Sequence, residues 1–528
     1  MKSGSVRRDF LKAGAIGAAG SVFGSGSRAF ASTQASALSG DSLNVRSFGA
    51  TGDGKTIDTP TINRAIDAAS AAGGGTVVFP AGSYLCYSIH LKSNVSLYVG
   101  PGATIVAAET GAQGASSGYD AAEPNQWDRF QDFGHSHWHN SLMWGEDISN
   151  ISILGPGLIW GKGLSRGSGD TALAPGVGNK SISLKNCRNV TLRDISILHG
   201  GHFAVLATGV DNLTIDNLLI DTNRDGIDID CCRNVRVSNC SVNSPWDDAI
   251  CPKSSFALGY ARATENVTIT NCYVTGGYEE GTLLDATYKR IGADYKAPRN
   301  GRIKFGTESD GGFRNITVTN CVVDNCRGIA LETVDGGALE DITISNIAMR
   351  DITDVPFFLR LGSRMRGPDG VPVGRLRRVL ISNVVVSNAE SKQSALISGI
   401  PGHYIEDVKF DNIYIQHRGG MKTTAAVIVP ELENAYPEPD RFGPLPAQGF
   451  FIRHVKGLDM RDIEIKPLQE DGRPAFVLED VDGADFMHVK LPHSSGASLV
   501  LNNVRDFSLS QSRPIADMYL EHETKKTI

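Results

Sequence analysis

A seven-residue, strand-like segment recurs along the chain and leaves few folds open to it. NVTLRDI begins at Asn189, NLTIDNL at Asn212, NVRVSNC at Asn234, NVTITNC at Asn266 and NITVTNC at Asn315, with starts 23, 22, 32 and 49 residues apart. An earlier copy is NISILGP at Asn150. Degenerate ones follow as DITISNI at Asp341, RVLISNV at Arg378, DVKFDNI at Asp407, GLDMRDI at Gly457 and DFMHVKL at Asp485. Each alternates apolar and polar residues with the period of a strand. A period near 22 in short strands separated by Gly, Asn and Asp means a solenoid, in which each coil buries its apolar face only against the next. Helical solenoids need roughly 30 to 45 residues per repeat and helical periodicity, and neither is present. The expected fold is all-β, a single-stranded right-handed parallel β-helix.

Composition agrees with one large folded unit. Of 528 residues 41% are hydrophobic and 21% charged, and the formal net charge is −7, so neither disorder nor a basic nucleic-acid surface is indicated. Beyond residue 35 no apolar run approaches the ~20 residues of a membrane span, which predicts a soluble protein with no membrane span. The first 31 residues are set apart as an address. Arg7-Arg8 precede Phe10-Leu11, a Gly/Ala-rich apolar segment follows, and Ala29-Phe30-Ala31 has the form of a cleavage site. This is similar to a twin-arginine export signal and predicts a mature chain starting near Ser32, periplasmic or secreted. The nine cysteines are expected to be mostly free and buried, because Cys187, Cys240, Cys272 and Cys321 each follow Asn at one place of the repeat.

The first coil needs a cap. Within Asn44 to Tyr84 the segment from Thr59 reads as a helix, with Thr59 as N-cap, Pro60 at the first position, Ile62, Ala65, Ile66 and Ala69 on one face and Gly73 as the stop. The series FGATGDG, DT, AI, GGG and VVFPAGSY in this cap resembles that of pectate-lyase-like and polygalacturonase-like β-helix proteins. The solenoid is expected over residues 42–512, with 513–528 as a C-terminal tail.

Two stretches carry the candidate chemistry. TNRDGIDID contains Asp225, and SPWDDAICPKS sets Asp247 beside Asp248, 22 and 23 residues further on, about one coil. Strands of a sheet lie ~4.8 Å apart, so residues one coil apart stack as neighbours and three carboxylates are gathered on one patch. Like charges that close raise one another's pKa, which marks functional sites more often than turns. The asparagines and aspartates of the repeat itself, such as Asp194 and Asp216, are accounted for by turn chemistry.

At these residues the chain resembles glycoside hydrolase family 28, the polygalacturonases and rhamnogalacturonases. The matching segments are Asn223 to Ile229 (NRDGIDI), Asp247 to Ser254 (DDAICPKS), NISILGPGLIWGKG from Asn150 and FGTESDGGFRNITVTNC from Phe305. The resemblance implies Asp247 as general acid, Asp225 and Asp248 holding and deprotonating a water in an inverting reaction, and no metal or cofactor. Asn223, Lys253, Arg302 and Lys304 are the expected substrate-binding residues, and the expected partner is a plant-cell-wall-type polysaccharide acted on by a monomer. The spacing of neighbouring coils alone points to the shorter carboxylate separation of retaining enzymes.

The departures redirect the substrate. The family's G-H-G histidine has no counterpart in Arg299 to Lys304, and its R-I-K cations are replaced by Gly328-Ile329-Ala330-Leu331-Glu332. A carboxylate-binding pair worth ~2 to 5 kcal/mol is missing, which favours a neutral sugar at the cleaved position, as in rhamnogalacturonan, or a changed pose for a uronate, over plain polygalacturonase activity. His135, His137 and His139 alternate and would share one side of a strand as zinc ligands do, but no further ligand follows at a fixed offset, and lining of a sugar cleft is the commoner role. His199 and His202, one coil before Asp225, fit cleft lining and structural roles equally. The long insertions at 272–314 and 418–449 are expected to wall the groove and favour chain-end attack. The rival readings are a polysaccharide lyase, which needs a cation and a basic residue, and a non-catalytic carbohydrate-binding β-helix.

Overall fold

The repeat dictates a backbone position before it dictates a strand. The residues that open its copies, Asn189, Asn212, Asn234, Asn266 and Asn315, all have positive φ between 52° and 60°, the left-handed region that asparagine tolerates best among residues with a side chain. Their amides form a ladder from coil to coil, Asn212 Nδ2 donating to Asn189 Oδ1 at 2.8 Å and Asn234 Nδ2 to Asn212 Oδ1 at 3.2 Å. Further along, register places Asp341, Arg378, Asp407, Gly457, Gly483 and Asp506 at the same turn, all with positive φ. The repeat looks degenerate there because the turn constrains the backbone and leaves the side chain free.

The computed structural model describes residues 42–112, 114, 117–292, 294–422, 427–492 and 497–528; the export signal read in residues 1–31 lies outside them. Leu43–Ile528 is one compact unit. Its strands make a continuous sheet of 29 and a second, parallel sheet of six. The second sheet consists of β1 (Ile89–His90), β2 (Met143–Glu146), β3 (Lys180–Lys185), β4 (Phe203–Thr208), β5 (Asp225–Asp230) and β6 (Ile250–Lys253). Inward residues stack in register from coil to coil, Ile182 on Val205, Val205 on Ile227 and Ile227 on Ile250, all at 0% exposure. Each such side chain contributes about 1.5–3 kcal/mol by burial, so a slip of one residue would turn the whole apolar ladder outward.

The cap is built as expected except at its start. Helix α1 spans Thr59–Ala71 with Ile62, Ala65, Ile66 and Ala69 buried, and Gly73 past its end takes φ +94°. The cap residue is Asp58, not Thr59: Thr59 Oγ1 accepts the N–H of Tyr87 at 2.7 Å, while the Asp58 carboxylate accepts from the N–H groups of Thr51 and Gly52. The residues read as a C-terminal tail are also corrected. β8 (Met518–Thr527) runs antiparallel along β7 (Leu499–Ser510), pairing Val500 with Thr527 and Leu509 with Met518, and so covers the edge of the last coil. All nine cysteines are buried and unpaired, with Cys240, Cys272 and Cys321 next to residues paired in register. Among the described residues no helix is long and apolar enough to cross a membrane.

Candidate active site

Strands β5 and β6 bring the aspartates together. The Gly226 N–H donates to Asp248 O at 3.0 Å and Ile227 pairs with Ile250, which stacks Asp225 on Asp248. One oxygen of each of Asp225, Asp247 and Asp248 lies within 4.8 Å of the others. Asp225 and Asp247 line a cavity of about 300 Å³ together with His135, His202, Lys304 and Tyr436. Three carboxylate oxygens this close could also hold a hard cation, but cations of the chain already contact two of them.

Those contacts set the three apart. Asp248 is fully buried, with Oδ1 accepting from Arg302 Nε at 2.9 Å and Oδ2 2.5 Å from Lys304 Nζ. Burial works to raise its pKa, yet Lys304 and Arg302 hold the carboxyl well below its ordinary range. Asp247, whose side chain is 22% exposed, accepts from Arg224 Nη2 at 2.7 Å. Its pKa is raised, by burial first and by the charge of Asp248 second, with Arg224 opposing both. Asp225 lies well above its ordinary value through burial and the charges of Asp228 and Asp247, and no described residue donates to its Oδ1. Protons therefore bind Asp225 and Asp247 in preference to Asp248, and the titrations of these neighbouring groups are coupled.

Arg224 is itself held in place. His202 Nε2 lies 3.3 Å from its Nη2, and His202 Nδ1 lies 3.1 Å from the carbonyl oxygen of Gly167. Burial and the nearby Arg224 push the His202 pKa well down. A neutral ring with Nδ1–H donating to Gly167 leaves Nε2 to accept from Arg224, the tautomer these partners require. Arg224 therefore reaches Asp247 in one orientation.

The other expected residues distribute unevenly. Lys253 lines the cavity and pairs with Glu308 at 3.3 Å, and Lys304 lines it while contacting Asp248. Asn223 does not line the cavity: its carbonyl oxygen accepts the Trp246 N–H at 2.8 Å and its side-chain Oδ1 is buried without a partner. Arg302 is a correction: at 1% exposure it is sealed behind Asp248, joining it to Glu438 at 2.8 Å, and is in no position to touch substrate. Asp248, expected to hold a water, is likewise fully buried, with Arg302 on one carboxylate oxygen and Lys304 on the other. The three alternating histidines lie in turns and loop, not in a strand, and bind apart. His135 contacts Asp228 at 3.2 Å, His137 contacts Asp128 at 3.4 Å and His139 contacts Glu146 at 2.8 Å.

Sequence reasoning missed Arg224, Tyr436, Glu438 and the weight of Glu332. Arg224 was legible as a cation inside the Asn223–Asp225 motif. Tyr436 and Glu438 come from a distant insertion, where Glu438 clamps Arg302 and Arg327. Glu332, one turn of the coil beyond Lys304, is fully buried, and neither of its oxygens has a partner. Burial raises its pKa to about 8 against the pull of Lys304 and Arg302. The folded state therefore keeps a proton that the unfolded chain releases near its ordinary value of 4.5, and stability falls as pH rises from there to about 8. Glu332→Gln is expected to flatten that part of the stability profile and to exceed the wild type above pH 8. Denaturant midpoints measured across this range check it, and unchanged pH dependence would contradict it.

A parallel β-helix with a carboxylate trio in a small cavity on its second sheet is a pectate-lyase-like solenoid. Residues 42–278 match the family described as "Rhamnogalacturonase A/epimerase, pectate lyase-like". Over 331 residues the chain is 23% identical to a probable polygalacturonase of Vitis vinifera, covering 58% of this chain and 61% of that one. Over 407 residues it is 23% identical to an exo-poly-alpha-D-galacturonosidase of Dickeya chrysanthemi, covering 67% and 63%. Thus it spans about six tenths of the length of these curated relatives. The family 28 exopolygalacturonase of Yersinia enterocolitica has the same fold, with a TM-score of 0.63 at 19% identity over 84% of this chain and 78% of that one. The chain is a right-handed parallel β-helix protein, similar over residues 42–278 to the rhamnogalacturonase A/epimerase family and at low identity to polygalacturonases.

Proposed function

We propose that the protein is a glycoside hydrolase acting on a pectin-type polysaccharide, with a rhamnogalacturonan-type linkage as substrate. The observation that carries this reading is the trio itself: three carboxylates within 4.8 Å, one held in its charged form by Lys304 and Arg302 and two with raised pKa values at a cavity wall. Glycosidic cleavage needs one carboxyl that gives a proton to the leaving oxygen and one carboxylate that activates the nucleophile. Asp247, the more exposed of the two raised carboxyls, is the acid, and the charge of Asp248 helps to raise its pKa. Asp225 is the base.

The substrate preference rests on the cations. Arg224, Lys253 and Lys304 face the cavity, and each already contacts a carboxylate of the chain, Asp247, Glu308 and Asp248 respectively. A uronate at the cleaved position would have to compete with those partners, whereas a neutral sugar would not. Release of reducing ends is expected from rhamnogalacturonan fragments and weakly, if at all, from polygalacturonate; strong activity on polygalacturonate alone overturns this preference. Chain-end attack is supported by the walls. Asp132 pairs with Arg366, Tyr436 Oη bonds Thr307 Oγ1, and Glu438 ties its loop to Arg302 and Arg327.

The stereochemistry has two indications that disagree. The resemblance implies inversion, while oxygens within 4.8 Å match the ~5–5.5 Å of retaining pairs better than the ~6.5–9.5 Å of inverting ones. The anomer first formed, read by NMR, separates them: the inverted anomer upholds the roles above, and the retained one makes Asp225 a nucleophile.

A further inference from the structure

Beside the trio stands a pair of aromatic rings that the acid–base chemistry does not use. Trp246 immediately precedes Asp247 and is 41% exposed, and Tyr295, from the long insertion after the next strand, is 39% exposed. Their centroids lie 6.4 Å apart with planes tilted by 60°. That contact leaves about two fifths of each residue open to water, where apolar surface costs free energy unless something covers it.

Neither ring is there by looseness of the backbone. The Trp246 N–H donates to the Asn223 carbonyl at 2.8 Å, which fixes it on the coil of the site. The insertion returns alongside it, Asn300 N–H donating to Pro245 O at 3.0 Å and Gly301 N–H to Ser244 O at 2.9 Å. Two held aromatic faces, one peptide from a proposed acid, match a pyranose ring, whose C–H face packs on aromatic rings.

We propose that Trp246 and Tyr295 form a sugar-stacking subsite beside the cavity, taking an uncharged pyranose of the substrate chain. The proposal rests on the glycosidase reading and adds where the substrate is gripped. A stacked contact of this kind acts on ground and transition states alike, so its loss shows in KM more than in kcat.

The test uses the full-length protein and rhamnogalacturonan oligosaccharides. Trp246→Ala is expected to raise KM about tenfold, and Tyr295→Ala by about threefold, with a much smaller change in kcat. Tyr519→Ala, at a more exposed ring on the C-terminal strand, is expected to match the wild type, and Tyr295→Phe to keep most of the binding. KM values of both alanine variants within about twofold of the wild type would overturn the subsite. If the wild type cleaves none of these oligosaccharides, the glycosidase reading fails, and calorimetric binding of the same oligosaccharides decides the subsite separately. Weaker binding by Trp246→Ala upholds it; equal binding, or none by the wild type, overturns it.

Discussion

Asp247→Asn is expected to lower turnover by roughly 10²–10⁴-fold while leaving the fold intact, the range for losing a positioned general acid. The amide has the shape of the carboxyl but no proton to give to a leaving oxygen. Arg224 still finds an oxygen to donate to, and the backbone contact of Asp247 O with Gly301 N–H at 2.9 Å is untouched. Circular dichroism and the thermal midpoint should therefore match the wild type while reducing-end release is lost. A sugar-binding β-helix without catalysis would lose little by the same change, so unaltered behaviour would favour that rival. The pH profile carries a second mark. Arg224 is the largest influence opposing the upward push on Asp247, ahead of Lys304 and Lys253, so Arg224→Gln should move the limb set by Asp247 to higher pH.

The second large effect is on stability. Arg302→Met is expected to cost about 3–5 kcal/mol, the range for removing one partner of a buried ion pair. Arg302 is almost fully enclosed and serves Asp248 and Glu438 at once, at 2.9 and 2.8 Å. Methionine fills similar space but leaves the Asp248 Oδ1 unpaired, with Lys304 alone to hold the charge, and leaves Glu438 to Arg327. The loss should appear in the denaturant midpoint, and with it a rise in the Asp248 pKa, which Arg302 helps to hold down. A midpoint equal to the wild type would show that Lys304 suffices.

The coils and the trio were legible for one reason: both rest on positions that the backbone repeats. Asn189, Asn212 and Asn234 mark a left-handed turn, so their spacing gave the register, and the register put Asp225 on Asp248. What lay between coils was not legible. Tyr436 and Glu438 meet Thr307 and Arg302 across more than 100 residues, and nothing in the period of the repeat encodes where an insertion folds back. The fate of Arg302 turned on the same fact, since the loop that carries Glu438 is what seals it. The last strand escaped notice because MYLEHETKKT pairs by its backbone along an edge and buries little, so its apolar alternation is faint. Glu332 was visible as a departure from the family, but only the packing around it shows that it is buried beside Lys304 and Arg302.

The central claim is that the trio splits a glycosidic bond with water. Digestion of rhamnogalacturonan fragments in heavy-oxygen water, followed by mass spectrometry of the new ends, tests this most directly. The account predicts one heavy oxygen at the anomeric carbon of each new reducing end, unaffected by chelator and absent with Asp247→Asn. Unsaturated products that carry no label and vanish with chelator would contradict it and place the protein among the lyases.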